Sequence, residues 1–147
     1  MILEGSEEEK LFETIENEDI EKVKSLLKNS TENKKILKLN EKDEYGWYPL
    51  LLAILRNNIK IVQLLIEYAL QHQIILELNE KNKLGNYPLY WAIGNNNIKI
   101  VKLLLEYALR HRIVLEYNES DIEDKPEIKN LFQNYEKEIE NRKKVNK

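Results

Sequence analysis

The chain has 147 residues, of which 42% are hydrophobic and 33% are charged, a balance that fits one soluble domain. Its formal net charge of -3 provides no overall attraction to phosphate backbones, so we expect no nucleic-acid partner. The sequence has no cysteine, no signal-peptide pattern after Met1 and no apolar run long enough to span a bilayer, which together favour a cytoplasmic protein without disulfides or membrane segments.

An internal repeat organises the chain. Residues 41–79, aligned with residues 80–118, are identical at 25 of 39 positions. A fixed period of roughly 20 to 50 residues is typical of proteins built by stacking one small unit on the next. The repeat therefore predicts an all-α solenoid of helix-turn-helix units, connected by turns or hairpin-like loops, that forms a single domain over residues 1–147.

The first predicted element, residues 6–40, is a degenerate copy of the repeat. Its apolar positions lie one repeat length before those of the next copy, but the turn and the proline that open the full repeats are missing. Ser6 and Glu9 have the spacing of a capping box, which predicts a helix start. We interpret this segment as an N-terminal capping repeat.

The two full repeats, residues 41–79 and 80–118, each open with a turn and a short first helix. Gly46 supplies the positive φ that a tight turn often needs, and Pro49 suits the first position of a helix. The asparagine pair at residues 57–58 then ends the first helix, because asparagine tolerates left-handed backbone geometry. The second full repeat has the same features at the equivalent positions.

A second helix follows each asparagine pair and has an apolar face at helical spacing. Because apolar residues continue through Ile74, Ile75 and Leu76, we expect this helix to run several residues longer than usual. The last element, residues 119–147, is predicted to be a C-terminal capping helix, since Pro126 and the apolar residues after it fit one amphipathic helix.

The order of these elements resembles the ankyrin repeat family. Each full repeat contains G-x-Y-P-L-x-x-A, a short helix, a turn, I-x-I-V-x-L-L-x-E and a loop that ends in asparagine. The resemblance covers residues 6 to about 140 and implies recognition of another protein by a concave surface of turn tips and first helices.

The sequence departs from the family pattern at three features. Tyr48 and Tyr87 replace the family's threonine, and Leu51 and Tyr90 replace its histidine, so the usual threonine–histidine hydrogen bonds are expected to be absent. A period of 39 rather than about 33 residues leaves six extra residues, which we place in the second helix.

Most differences between the two full repeats fall in the turn and the first helix. Eight of the 14 mismatches lie at positions 43–56 and their equivalents. Positions that pack against a neighbouring repeat must keep the same residue type, whereas positions without such contacts can differ. The positions that differ include aromatic residues of the kind that dominate protein interfaces. We therefore predict one continuous partner-binding strip. Its residues are Glu44, Tyr45, Trp47, Leu55, Arg56, Lys83, Leu84, Asn86, Trp91 and Asn95.

The aromatic and histidine positions each allow a structural interpretation as well. Tyr45 and Trp47 lie at a turn and favour partner contact. Trp91 lies inside a helix, where packing against the adjacent repeat explains it equally well. His72 and His111 occupy equivalent positions of the two repeats, but neither cysteine nor an acidic cluster completes a metal shell, so we interpret them as packing residues and expect no bound metal.

No enzyme signature is present in the sequence, so we expect no catalysis and no cofactor. The sequence indicates a non-catalytic protein–protein interaction module, acting as a scaffold, adaptor or inhibitor, that is monomeric alone. Two alternatives remain open. The chain could be a structural fragment of a longer repeat array, or it could self-associate through the aromatic strip or its open ends.

Overall fold

The computed structural model describes residues 1–145, and over that range the regular secondary structure is entirely helical. Seven α-helices and one short 3-10 helix are present in this range. They are α1 (Glu7–Glu16), α2 (Ile20–Glu32), α3 (Pro49–Leu55), α4 (Ile59–Gln71), α5 (Pro88–Gly94), α6 (Ile98–His111), the 3-10 helix (Glu119–Asp121) and α7 (Pro126–Val145). The predicted capping helix therefore begins at Pro126, and its last two positions, 146–147, lie outside the described residues.

The helices form three hairpins that stack side by side. Helix α1 packs on α2, α3 on α4 and α5 on α6. The first helices form one row, α1 against α3 and α3 against α5, and the second helices form another, α2 against α4 and α4 against α6. Helix α7 packs on α6 and follows the row of second helices. The expected all-α ankyrin-like solenoid is confirmed.

Backbone geometry repeats with the same period as the sequence. Left-handed backbone occurs after each first helix, at Glu18, Asn57 and Asn96, and the φ values there are 52°, 56° and 50°. It occurs again after each second helix, at Lys34, Gln73 and Arg112, with φ values of 57°, 58° and 57°. Within both sets, successive members are separated by one repeat length. Residues 6–40 therefore end their two helices at positions equivalent to those of the full repeats, in spite of their divergent sequence.

Side chains cap the starts of the second helices and of α1, and the cap at Ser6 is the one that the sequence predicts. Asn58 and Asn97 precede the second helices, and each side-chain oxygen accepts a hydrogen bond from the third backbone N–H that follows, at 3.1 and 3.0 Å. Ser6 Oγ likewise accepts from the Glu9 N–H at 3.1 Å. Glu9 Oε1 accepts from the Gly5 N–H at 3.2 Å, one residue earlier than a standard capping box.

One continuous apolar core runs through the whole stack. The innermost residues of the first full repeat, Leu50, Ile54, Ile61 and Leu65, are almost completely buried, and so are their equivalents one repeat later. Burial of such a side chain contributes about 1.5 to 3 kcal/mol. Each repeat has to present the same apolar faces to its neighbours, which explains why these positions are identical or conservative between copies.

The second helix does not extend to Leu76, contrary to the prediction. Helix α4 ends at Gln71, and Gln73 then adopts left-handed backbone that stops the helix. Residues 74–79 continue as an irregular segment in which Leu76 and Leu78 are buried and Ile75 and Glu77 are exposed. The apolar run that suggested more helix therefore packs through alternate side chains, as in an extended chain.

Hydrogen bonds between repeats hold these irregular segments in place. The amide of Asn40 donates to the Ile75 carbonyl at 2.8 Å and accepts from the Glu77 N–H at 3.0 Å. Asn79 repeats both bonds one unit later, to the Val114 carbonyl at 2.7 Å and from the Glu116 N–H at 2.9 Å. Each asparagine side chain therefore bridges the segment of its own repeat to that of the next.

Tyrosine hydroxyls fix the same segments from inside the stack. Tyr68 Oη accepts a hydrogen bond from the buried Leu37 N–H at 2.8 Å and also bonds to Ser30 Oγ at 2.8 Å. Tyr107 Oη accepts from the Leu76 N–H at 3.0 Å. Each tyrosine thus satisfies a buried backbone group of the preceding repeat.

Candidate functional site

The two turns of the full repeats are built around one side chain each. Asp43 Oδ1 accepts hydrogen bonds from the Tyr45 and Trp47 N–H groups, both at 2.9 Å. Asn82 Oδ1 makes the same pair of bonds one repeat later, at 3.0 and 2.9 Å. The side-chain oxygens of Asp43 and Asn82 therefore perform the same structural task, and the mismatch between these residues leaves the hydrogen bonding of the turn unchanged.

The two turns lie directly against each other. The Lys83 N–H donates to the Tyr45 carbonyl at 2.9 Å. A Cβ added to Gly46, whose φ is +85°, would meet the Asn82 Cα at 2.9 Å. Glycine is therefore required at position 46 both by its backbone angle and by the approach of the next turn.

Large apolar side chains project from these paired turns. Tyr45 is 59% exposed and Leu84, its equivalent in the next repeat, is 78% exposed. Charged residues adjoin them, because Glu44 and Lys83 are both exposed. Four of the ten predicted strip residues, Glu44, Tyr45, Lys83 and Leu84, are thus brought together at the turn tips.

Trp47 and Asn86 lie at the base of the turns. Both side chains are half-buried, and Trp47 packs against the apolar core. Trp47 is therefore part support and part surface, whereas the sequence had suggested a side chain free for a partner.

The first helices differ in what they expose. Leu51 and Leu52 of α3 are buried, whereas Tyr90 of α5 is 45% exposed and Trp91 is half-buried. The Tyr90 and Trp91 rings lie 5.5 Å apart in an edge-to-face arrangement. The Trp91 Nε1 atom is buried and finds no hydrogen-bond partner within residues 1–145. Tyr90 was missing from the predicted strip, although its mismatch with Leu51 was a visible signal.

The remaining three strip residues lie at the far end of the first helices. Leu55 is half-buried, and Arg56 and Asn95 are exposed. Arg56 forms an ion pair with Glu16 of the preceding hairpin, with 3.7 Å between Nη2 and Oε1. A seven-residue helix is roughly 10 Å long, so these residues form a group separate from the turn tips.

Two buried tyrosines occupy the family's threonine position. Within the described residues, neither the Tyr48 nor the Tyr87 side chain caps the helix that follows it. Tyr48 Oη instead donates to the Glu80 carbonyl at 2.8 Å and so links two repeats. Burial raises the pKa of Tyr48, and the negative charges of Glu80 and Glu77 raise it further. These tyrosines are structural.

The two histidines pack on the tyrosines that precede them by one helical turn. The ring centroids of Tyr68 and His72 are 4.4 Å apart, and those of Tyr107 and His111 are 4.3 Å apart. His72 Nε2 bonds to Thr31 Oγ1 at 2.9 Å, whereas the buried His111 Nε2 has no partner in the described part of the chain. In residues 1–145 no cluster of three or more histidine, aspartate or glutamate side chains is arranged to hold a metal ion.

Stacked helical hairpins with adjoining turn tips define a helical repeat protein. The family model for ankyrin repeats matches the chain in three copies over residues 11–116, and the chain belongs to the ankyrin repeat family. Members of this family are generally protein–protein interaction modules and are typically non-catalytic. No curated protein matches the chain closely enough to count as a relative.

The family match ends before α7, the helix that follows the last hairpin. Of the helices described up to residue 145, none combines the length and the apolar character needed to cross a membrane.

Proposed function

We propose that this chain is a non-catalytic scaffold or adaptor in the cytoplasm that binds a protein partner through its turn and first-helix face. This face comprises residues 43–56 and 82–95. The observation that carries the proposal is the row of exposed, rigid apolar side chains on adjacent repeats, Tyr45, Leu84 and Tyr90. Exposed apolar side chains grouped in this way, with polar residues around them, are typical of protein-binding surfaces.

The turn tips are the proposed centre of the interface. Tyr45 and Leu84 project from turns whose backbones are fixed by hydrogen bonds, so the turn backbones lose little conformational entropy when a partner binds. Glu44 and Lys83 have opposite charges and adjoin the apolar centre, where they set the orientation of a partner more than its affinity.

Trp47, Asn86 and Trp91 have a supporting role in this proposal. Each is half-buried beneath or beside the exposed residues, so it shapes the surface more than it covers the partner. Leu55, Arg56 and Asn95 form a second group at the far end of the first helices, within reach only of a partner that spans the full width of the face.

We further propose that residues 1–147 act as one binding domain. In this division residues 6–40 form the N-terminal capping repeat, residues 41–79 and 80–118 the two full repeats, and residues 119–147 the C-terminal cap. The support is the continuous core and the contact of every hairpin with the next.

Affinity capture from a native lysate tests the proposal. The bait is the full chain, compared with a Tyr45→Ala, Leu84→Ala double variant that should lose the partner while its thermal midpoint stays close to that of the parent. Ile75→Ala is the matched control, because Ile75 is also exposed but lies outside the turn and first-helix face. Equal capture by the double variant and the parent would refute the proposed face.

Light scattering at several protein concentrations separates this proposal from self-association. A mass that stays at 17.6 kDa supports a monomer that binds a different protein. A mass that rises with concentration and falls again in the Tyr45→Ala, Leu84→Ala variant would assign the same face to a second copy of the chain.

A further inference from the structure

A second surface with binding character lies at the other side of the last hairpin. A groove of about 820 Å³ opens between the end of α6, the segment that follows it, and the second half of α7. Leu109, Ile113 and Ile139 line its apolar floor. Val114 and Val145 line it as well, and they are 80% and 83% exposed. We call this surface the α6–α7 groove.

The groove exists because α7 is longer than the surface it covers. The buried residues of α7, Ile128, Phe132 and Tyr135, all belong to its first half. The second half, residues 136–145, has no buried residue, and at about 1.5 Å per residue it extends for about 15 Å. Ile139, Arg142 and Val145 follow one another at intervals of three along this half, so the α6–α7 groove has an apolar wall with a basic residue in it.

The charge of the groove is opposite to that of the chain. Arg112, Arg142 and Lys143 line it together with one acidic residue, Glu138, whereas the whole chain has a net charge of -3. Arg142 and Lys143 already form ion pairs with Glu138 and Glu140, but the lining residues keep an excess of positive charge, which favours a ligand with negative charge.

Arg142 is positioned to bind a carboxylate at the mouth of the groove. Its Nε donates to Glu138 at 3.3 Å, and its Nη1 donates to the Leu109 carbonyl at the end of α6 at 2.5 Å. A guanidinium has five N–H donors, so three of them find no partner among residues 1–145. A fork of free donors held in place by two existing bonds suits a carboxylate ligand.

We propose that the α6–α7 groove binds a short amphipathic helix of a partner protein in which acidic residues flank an apolar stripe. A helix of about three turns matches the roughly 15 Å of exposed α7, and its apolar side chains would cover Val114, Ile139 and Val145. Its carboxylates would face Arg112 and Arg142. The apolar floor disfavours nucleic acid, and the basic rim disfavours a basic helix.

Binding of a designed helical peptide tests this inference. The probe is a fluorescently labelled peptide about four helical turns long, with leucines at i, i+3, i+4 and i+7 and glutamates on both flanks. Fluorescence anisotropy measures its binding to the full chain. A second peptide with lysine in place of every glutamate tests the charge. We expect saturable binding of the acidic peptide alone, weakened by added salt.

Protein variants locate the binding to the groove. Val114→Glu and Val145→Glu should each raise the Kd of the acidic peptide by about tenfold or more, because they remove an apolar contact and add repulsion. Both residues are largely exposed, so the fold should be unchanged by circular dichroism. Ile75→Glu is the matched control, since Ile75 is the equivalent of Val114 one repeat earlier and lies outside the groove, and it should leave the Kd unchanged.

Several results would overturn the inference. Equal or tighter binding of the lysine peptide would show that the basic rim does not select the ligand. Unchanged binding by both glutamate variants, or no binding of the acidic peptide, would remove the groove as its site. Concentration-dependent self-association that Val114→Glu abolishes would assign the groove to a second copy. Tyr45→Ala should retain the peptide, which keeps this test independent of the turn and first-helix face.

Discussion

Substitution of the buried tyrosines by phenylalanine measures what their hydroxyls contribute to the stack. Tyr68→Phe removes the acceptor of the Leu37 N–H and the partner of Ser30 Oγ. Tyr107→Phe removes the acceptor of the Leu76 N–H. Phenylalanine retains nearly all of the apolar packing, so the cost is that of leaving a buried N–H unsatisfied, about 1 to 3 kcal/mol.

We therefore expect each variant to lower the free energy of unfolding by about 2 kcal/mol and the thermal midpoint by roughly 6 °C. The loss at Tyr68 should be the larger of the two, because its second bond, to Ser30 Oγ, is 2.8 Å long, whereas the second bond of the Tyr107 hydroxyl, to the Ile74 carbonyl, is 3.3 Å long. Urea unfolding followed by circular dichroism gives the free energy, and an unchanged m-value shows that the unfolding transition is comparable.

Tyr90→Phe is the control for loss of a hydroxyl without loss of a buried bond. The Tyr90 side chain is exposed on α5, so the substitution should leave stability within about 0.5 kcal/mol of the parent. If Tyr68→Phe were as stable as Tyr90→Phe, then water would be replacing the lost hydroxyl, and the tyrosines could not be regarded as fixing the irregular segments.

Three further predictions concern glycine, histidine and alkaline pH. Gly46→Ala should destabilise the chain by more than about 1 kcal/mol through its positive φ and its clash with the next turn, whereas Gly94→Ala, in open space at the end of α5, should raise stability by up to about 1 kcal/mol in urea unfolding. His72→Phe should lower the free energy of unfolding by about 1 kcal/mol because it breaks the hydrogen bond to Thr31. His111→Phe should leave it unchanged, since the buried His111 nitrogen has no partner among residues 1–145. Equal effects of the two substitutions in urea unfolding would show that the His72 hydrogen bond does not stabilise the fold. Burial raises the pKa of Tyr48, so the neutral form is favoured in the fold, and its stabilisation is present below the unfolded pKa of about 10 and declines as pH rises above that value. The thermal midpoint should fall between about pH 9 and pH 12, and the fall should be smaller in Tyr48→Phe.

Local rules were sufficient for much of the fold. The left-handed position of Asn57, the cap formed by Asn58 and the positive φ of Gly46 each follow from the chemistry of one residue and its neighbours. The repeat itself follows from sequence identity alone. These features could be predicted because they depend on contacts a few residues apart.

The irregular segment after α4 could not be predicted in the same way. Residues 74–76 are an apolar run that suits either a helix or an extended chain. The extended form is held by Tyr107, which bonds to the Leu76 N–H from 31 residues away, and by the Asn40 side chain, which bonds to the Ile75 carbonyl and the Glu77 N–H. The apolar–polar–apolar order of Leu76, Glu77 and Leu78 was the one signal available in the sequence, and it is short.

The candidate site, like the fold, could be predicted from the sequence only in part. The sequence identified Tyr45 and Leu84 as exposed, because turn positions that differ between the two repeats do not have to pack against a neighbouring repeat. It did not separate Leu51 from Tyr90, which occupy equivalent positions but differ in burial. Helix α3 lies between α1 and α5, whereas α5 packs on only α3 in the row of first helices described here, and this difference in neighbours accounts for the exposure of Tyr90.

The asparagine bridges also determine how the molecule comes apart. Asn40 and Asn79 each bind a backbone carbonyl and a backbone N–H of the unit that follows, so melting of residues 41–79 breaks such bonds to both neighbouring units, whereas melting of either outer repeat breaks them to only one. Local unfolding should therefore cost the least free energy in the outer repeats, and a protease should cleave these repeats before it cleaves residues 41–79.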